Sequence, residues 1–246
     1  MRNKSTSIPV RLIHLADVSF QTEHQENLQR ALDEVQLREA RFDTLIVTGD
    51  IAAQADKNTY QAFSEVITEE GVPVYGLPGN HDNARLFQDV VADDKLHLDN
   101  VIEIGGWNIL FLDRVLGAGL KHVTVDHMEK IAALLDSKPD TPVLVFSRYY
   151  KIAQSDADNV SMESLREYKL VLELLSSRPQ VKALVCAHAY ESGFEDSISG
   201  LTLLATPTAC STDGVDDSGY RRLDLYPDGN LISNVIHHAA PVQKTA

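Results

Sequence analysis

An α/β fold built on largely parallel sheet is what this sequence predicts, on three observations. Short apolar, β-branched runs recur at residues 10–16, 44–48, 74–77, 109–112, 143–146 and 181–187. Stretches with helical spacing lie between the earlier runs, and several runs stop abruptly at Asp, Gly, Asn or His. Parallel strands are covered by helices on both faces, so they read as continuous apolar runs and not as alternating ones.

The first run stops at Asp17, and Leu28, Ala31, Leu32 and Val35 then fall at three- and four-residue steps, one face of a helix. The second ends in Gly49-Asp50 and is followed by Tyr60, Phe63, Val66 and Ile67 at the same spacing. The third ends in Pro78-Gly79-Asn80-His81-Asp82. Three further strands follow, and Ser164-Leu165-Arg166-Glu167 is a capping box that predicts the start of a helix carrying Leu170, Leu174 and Leu175. The last third changes character, with closely spaced strand-like runs at 198–205 and 220–236. The second of these is broken by Tyr226-Pro227-Asp228-Gly229, where Pro presets φ and Gly tolerates a positive one, so a hairpin is expected. Gly117-Ala118-Gly119 reads as a turn, and residues 154–159 as an exposed loop. Residues 8–238 are expected to form a single domain, with 1–7 and 239–246 as flexible tails.

The 246 residues carry 22 Lys plus Arg against 36 Asp plus Glu, a formal net charge of −14. Binding to a nucleic-acid duplex draws on basic side chains that neutralise phosphates, so that class is excluded as a general activity. At 43% hydrophobic and 24% charged the composition is that of a globular protein. No apolar stretch approaches the roughly 20 residues that span a bilayer, and residues 1–7 lack a secretory pattern, so the expected location is cytoplasmic. Cys186 and Cys210 are read as two reduced thiols.

Strand-end residues of an open α/β sheet collect in one crevice, where ligands bind. Here that brings together Asp17, Asp50, Asn80, His81, Asp82 and, after a later run, His188. Carboxylate, carboxamide and imidazole suit Mn, Mg, Fe or Zn. Such a site supports hydrolysis, since a metal lowers the pKa of water and neutralises charge on a phosphoryl oxygen. Each residue also has a plainer reading: a strand-end Asp is often a helix cap or Asx-turn, and a lone His188 a satisfied core histidine. The Gly79-Asn80-His81-Asp82 block weighs against coincidence, because it sets four turn-forming or ligating groups where a core strand has just ended.

The blocks Leu15-Ala16-Asp17, Val47-Thr48-Gly49-Asp50, Leu77-Pro78-Gly79-Asn80-His81-Asp82 and Cys186-Ala187-His188 resemble the ordered motifs of calcineurin-like metallophosphoesterases. Among these the chain is most similar to bacterial class III 3',5'-cyclic nucleotide phosphodiesterases, a likeness running from about Val10 to about Ile236. The resemblance implies a four-layer sandwich of two mixed β-sheets flanked by helices. It also implies a two-metal site in which Asp50 bridges the metals, Asp17 binds one, and Asn80 and His188 bind the other. His81 would contact the substrate phosphate or assist the leaving group, oriented by Asp82, and the reaction implied is attack of a metal-bound hydroxide on a phosphodiester such as cyclic AMP.

Three expected histidines are replaced. Ser19 stands in the first motif, Ser147 before Arg148 in the block Phe146-Ser147-Arg148-Tyr149-Tyr150, and Tyr190 in the last motif. A serine hydroxyl is a poor ligand, and a tyrosine would have to ionise from about 10. Arg148 cannot ligate a cation; it could partner phosphate or the carboxylates, or point to solvent. The site is therefore expected to hold one divalent metal (Mn, Fe, Mg or Zn) weakly, or none. The expected function is that of a binding or regulatory protein with lost or impaired two-metal hydrolysis, with an active one-metal phosphodiesterase as the alternative. The expected partner is a small phosphorylated ligand, a nucleotide or a protein, without duplex nucleic acid or membrane.

Overall fold

The computed structural model describes residues 8–91, 96–116, 123–147, 162–187, 195–198, 200–210 and 218–238. In chain order the elements are β1 (Val10–Ala16), a 3-10 turn (Thr22–His24), α1 (Gln25–Arg38), β2 (Thr44–Gly49), α2 (Lys57–Ile67), β3 (Val74–Pro78), α3 (Ala84–Val90) and β4 (Leu96–His97). There follow β5 (Val101–Ile104), β6 (Trp107–Phe111), α4 (Leu112–Leu116), α5 (Val125–Asp136), β7 (Val143–Ser147), α6 (Met162–Ser176), β8 (Val181–Cys186), β9 (Glu195–Ile198), β10 (Leu201–Ala205), β11 (Gly219–Leu225) and β12 (Leu231–His237). The expected tails, the turn at 117–119 and the loop at 154–159 lie outside the described residues.

Two mixed six-stranded sheets result, in the orders β12-β11-β1-β2-β3-β4 and β5-β6-β7-β8-β10-β9. In the first, β1 to β4 run parallel and the β11–β12 hairpin closes one edge antiparallel. In the second, β6, β7, β8 and β10 are parallel, with β5 and β9 antiparallel at the edges.

Three apolar clusters define four layers. One joins the outer face of the first sheet to α1, α2 and α3 through Leu28, Leu32, Val35, Tyr60, Phe63 and Phe87. A second joins the other sheet to α5 and α6 through Ile131, Leu135, Val171 and Leu175. The third lies between the sheets, where Leu12, Ile46 and Leu223 meet Ile109, Phe146 and Val185. This arrangement explains the unbroken apolar runs: all six residues of β2 are buried, because each face has its own cover.

The inter-sheet layer also holds a polar tie. His14 of β1 is fully buried, with Nδ1 2.6 Å from Thr206 Oγ1 and Nε2 2.7 Å from Thr48 Oγ1. Burial, with the Arg221 charge adding to it, lowers its pKa to about 3. The imidazole is therefore neutral, one nitrogen donating and the other accepting, and either threonine hydroxyl can complement it. Arg221 of β11 is also buried, and donates to the Ala205 carbonyl (2.5 Å) and to Glu195 (3.0 Å).

One boundary differs from expectation. The helix α6 begins at Met162, so Ser164 stands inside it and is not its cap; a capping pattern fixes a start only to within a residue or two.

Candidate functional site

The loops after β1, β2 and β3 come together because these strands are parallel neighbours. The chain leaves β1 in an unusual conformation. Asp17 has φ 44° and Ser19 φ 47°, both left-handed, and no other described residue except glycine has a positive φ. Backbone bonds hold this shape: Asp17 N–H donates to the Thr48 carbonyl (2.9 Å), and Ser19 N–H to the Asp50 carbonyl (2.9 Å). Strain of this kind costs of order 1–3 kcal/mol and persists where the surroundings over-determine it, typically at functional loops.

Two glycines make room for the carboxylates. A Cβ on Gly49, which has φ 86°, would lie 2.0 Å from Asp17 Oδ1. One on Gly79 would lie 2.2 Å from Asp50 Oδ1 and 2.7 Å from the Asp50 backbone nitrogen. With that space free, Asp50 N–H donates to Asp17 Oδ1 (2.9 Å), and His81 N–H to Asp50 Oδ1 (3.3 Å). The His81 ring is exposed, with Nε2 4.0 Å from Asp50 Oδ2. Asn80, next to it, is also exposed.

Asp82 is held by four hydrogen bonds. Its Oδ2 accepts from Ile51 N–H (2.9 Å) and Gly79 N–H (2.8 Å), and its Oδ1 from Ala52 N–H (3.2 Å) and the Tyr60 hydroxyl (3.0 Å). With these four bonds the carboxylate clasps the β2 and β3 loops, and Asp50 lies beside His81. Burial raises the Asp82 pKa, opposed by these hydrogen bonds, which favour the charged form. The Tyr60 hydroxyl also accepts from Asn83 N–H (2.8 Å), linking α2 to the start of α3. Tyr60 is a site-shaping residue that reads in the sequence only as a core position, because its helical spacing gives no sign of where the hydroxyl points.

Ser147, at the end of β7, is buried, and its hydroxyl donates to Asp113 Oδ2 (2.9 Å). Asp113 carries no motif in the sequence. Its position one residue after the predicted 109–112 run is the only signal that could have marked it. His188, Arg148 and Tyr190 lie outside the described residues, as does the proposed pairing of Arg148 with carboxylates.

Among the described residues no three His, Cys, Asp or Glu side chains form a metal-holding group. What the loops do bring together is Asp17 and Asp50, two hard carboxylate donors lodged in the space that Gly49 and Gly79 leave, with the exposed Asn80 next to His81 in the same loop. Carboxylate oxygens of this kind suit a hard divalent cation.

The model of the calcineurin-like phosphoesterase family matches residues 10–199. The chain is 25% identical to the 3',5'-cyclic adenosine monophosphate phosphodiesterase CpdA of Pseudomonas aeruginosa, over 94% of this chain and 91% of that protein. Identity to the CpdA of Escherichia coli strain K12 is 27%, over 92% and 89%. Among solved structures, a dimetal phosphatase from Danio rerio superposes with a TM-score of 0.65 at 12% identity, covering 93% of this chain and 96% of that one. GAP50, the anchor in the inner membrane complex of Plasmodium, gives 0.62 at 13% identity, over 94% and 85%. These two share the fold of paired sheets between helices. The family model spans well over half of the sequence, from β1 through β9, and on that ground the chain belongs to the calcineurin-like phosphoesterases.

Proposed function

We propose that this protein binds a phosphorylated nucleotide at the loops after β1, β2 and β3, in a binding or regulatory role, and that its two-metal hydrolysis is lost or impaired. The observation that carries this reading is the Ser147–Asp113 pair. Where the resemblance calls for an imidazole ligand, a short hydroxyl is committed as a donor to a carboxylate, 2.9 Å away. Ser19 stands at a second such place, and Tyr190 at a third.

In this reading Asp17, Asp50 and Asn80, with His188, would hold one divalent cation. When bound, it supplies positive charge for a phosphoryl oxygen. His81, exposed beside Asp50, contacts the phosphate from the solvent side. Asp82 and Tyr60 keep the β2 and β3 loops in register, so that Asp50 and Asn80 face the same ligand. The retention of His81 and Asp82 favours a second reading, an active one-metal phosphodiesterase acting on cyclic AMP or a related diester.

The test is metal content of protein purified without chelator, with hydrolysis of cyclic AMP and bis(p-nitrophenyl) phosphate in added manganese. The expected result is negligible turnover, raised by about tenfold or more when Ser19, Ser147 and Tyr190 are all replaced by His, a gain of at least one decade in rate. Near-stoichiometric metal with turnover that disappears in Asn80→Ala would overturn the binding role in favour of the one-metal enzyme.

A further inference from the structure

The first sheet ends in β12, which pairs with β11 over seven residues without a register shift, from Leu231↔Leu225 to His237↔Gly219. Backbone bonds beyond both ends of this ladder fix its phase. Tyr226 N–H donates to the Asn230 carbonyl (2.9 Å), and His238 N–H to the Ser218 carbonyl (2.8 Å). Hydrogen-bonded pairs recur at every second residue of an antiparallel ladder. Ile232, Asn234 and Ile236 therefore turn their backbone groups toward β11. Leu231, Ser233 and Val235 turn theirs outward, where among the described residues no strand meets them. Sheet edges are ordinarily blunted by shortness, charge or proline. Among the described edges, β4 has two residues, β5 carries Glu103, and β9 carries Glu195 and Asp196. In β12 all seven residues lack such protection: Leu231–His237 holds no Asp, Glu, Lys, Arg or Pro, and Ile232 is 47% exposed.

Such an edge takes another strand, and its chemistry points to which one. In a chain of net charge −14 two copies repel over most of their surface, so they meet best where neither presents a carboxylate on the joining strand. Outward residues must oppose outward residues, and full overlap of two antiparallel β12 strands then sets a two-fold axis at Asn234. Ser233 of one copy exchanges backbone bonds with Val235 of the other, and Asn234 faces Asn234. On the face where Ile236 packs against the α1 cluster, the exposed Ile232 comes opposite Ile236 of the other copy. Cross-strand pairs of β-branched side chains are a main source of sheet stability. We propose that this protein forms a two-fold dimer by antiparallel pairing of β12 with β12 of a second copy, joining two six-stranded sheets into one. The inference is independent of what the carboxylate loops bind.

Sedimentation velocity of the full chain at rising concentration should show a reversible dimer, weak because one strand pair is a small interface. Ile232→Lys, which supplies the charge that protected edges carry, should weaken it by about tenfold or more. Val235→Pro removes an outward N–H and no bond to β11, and should do the same. Cross-linking with oxidised glutathione reads the register, since Cys186 and Cys210 are buried and do not compete. Asn234→Cys places two thiols across the axis in a non-hydrogen-bonded pair, with Cα atoms about 4.5 Å apart and within disulfide reach. Ile232→Cys sets them four residues out of step, about 13 Å along the strands and beyond that reach. The disulfide dimer of Asn234→Cys should therefore form about tenfold or more faster. A full chain that stays monomeric at high micromolar concentration would overturn the proposal. So would a dimer that survives both Ile232→Lys and Val235→Pro, or equal cross-linking of the two cysteine variants. Dimerisation that appears only when residues 240–246 are removed would overturn it too, by showing that the end of the same chain holds the edge; unchanged dimerisation in that truncation upholds it.

Discussion

Replacing His14 by Gln should make the protein more tolerant of acid. The native pKa of this buried imidazole is about 3, against an ordinary 6.5, so between those values the unfolded chain holds a proton that the native state does not. Stability therefore rises with pH across that window: the contribution is complete above about 6.5 and is lost progressively as pH falls toward 3. From RT ln(1 + 10^(6.5 − pH)), the unfolded state gains about 2 kcal/mol at pH 5 and only about 0.2 kcal/mol at pH 7. Gln can still offer a donor and an acceptor to Thr48 and Thr206, and it does not titrate. Urea unfolding of both proteins at pH 7 and pH 5 is the assay. The difference in unfolding free energy between the two pH values should shrink by about 2 kcal/mol in the variant, whatever constant offset the substitution brings. If His14→Gln and the unaltered protein lose stability in parallel between pH 7 and pH 5, the neutral buried imidazole is refuted.

Asp82→Asn should lower thermal and urea stability by roughly 2–4 kcal/mol, because an amide nitrogen would face donors that the carboxylate now accepts from; loss of ligand binding at unchanged stability would instead place Asp82 at the ligand. Tyr60→Phe leaves Asn83 N–H and one Asp82 oxygen short of a partner and should cost about 1–3 kcal/mol in urea; a change below about 0.3 kcal/mol would show that the clasp holds without it. Gly79→Ala puts a Cβ 2.2 Å from Asp50 Oδ1 and 2.7 Å from the Asp50 backbone nitrogen, so manganese binding by calorimetry should be abolished. Unaltered binding in that variant would mean Asp50 does not hold the ion.

The strands were legible in the sequence because each is buried on both faces. The run at 10–16 is β1 from end to end, and those at 44–48, 143–146 and 181–187 differ from β2, β7 and β8 by a residue at most. The short edge strands β4, β5 and β9 went unpredicted, since half-covered edges carry no continuous apolar run. Of the site, the presence of Asp17, Asp50, Asn80, His81 and Asp82 at strand ends could be read directly, because strand ends in a parallel sheet share one edge. Which side chain faces which could not. Asp82 turned to four donors, Ser147 found Asp113, His14 joined the sheets, and a cleft formed between the β1 loop, α1 and Cys210. Local spacing sets which element a residue sits on, whereas these pairings span about 20 to 190 positions of chain, and only the packing of two sheets and their helices brings such distant groups within hydrogen-bond reach.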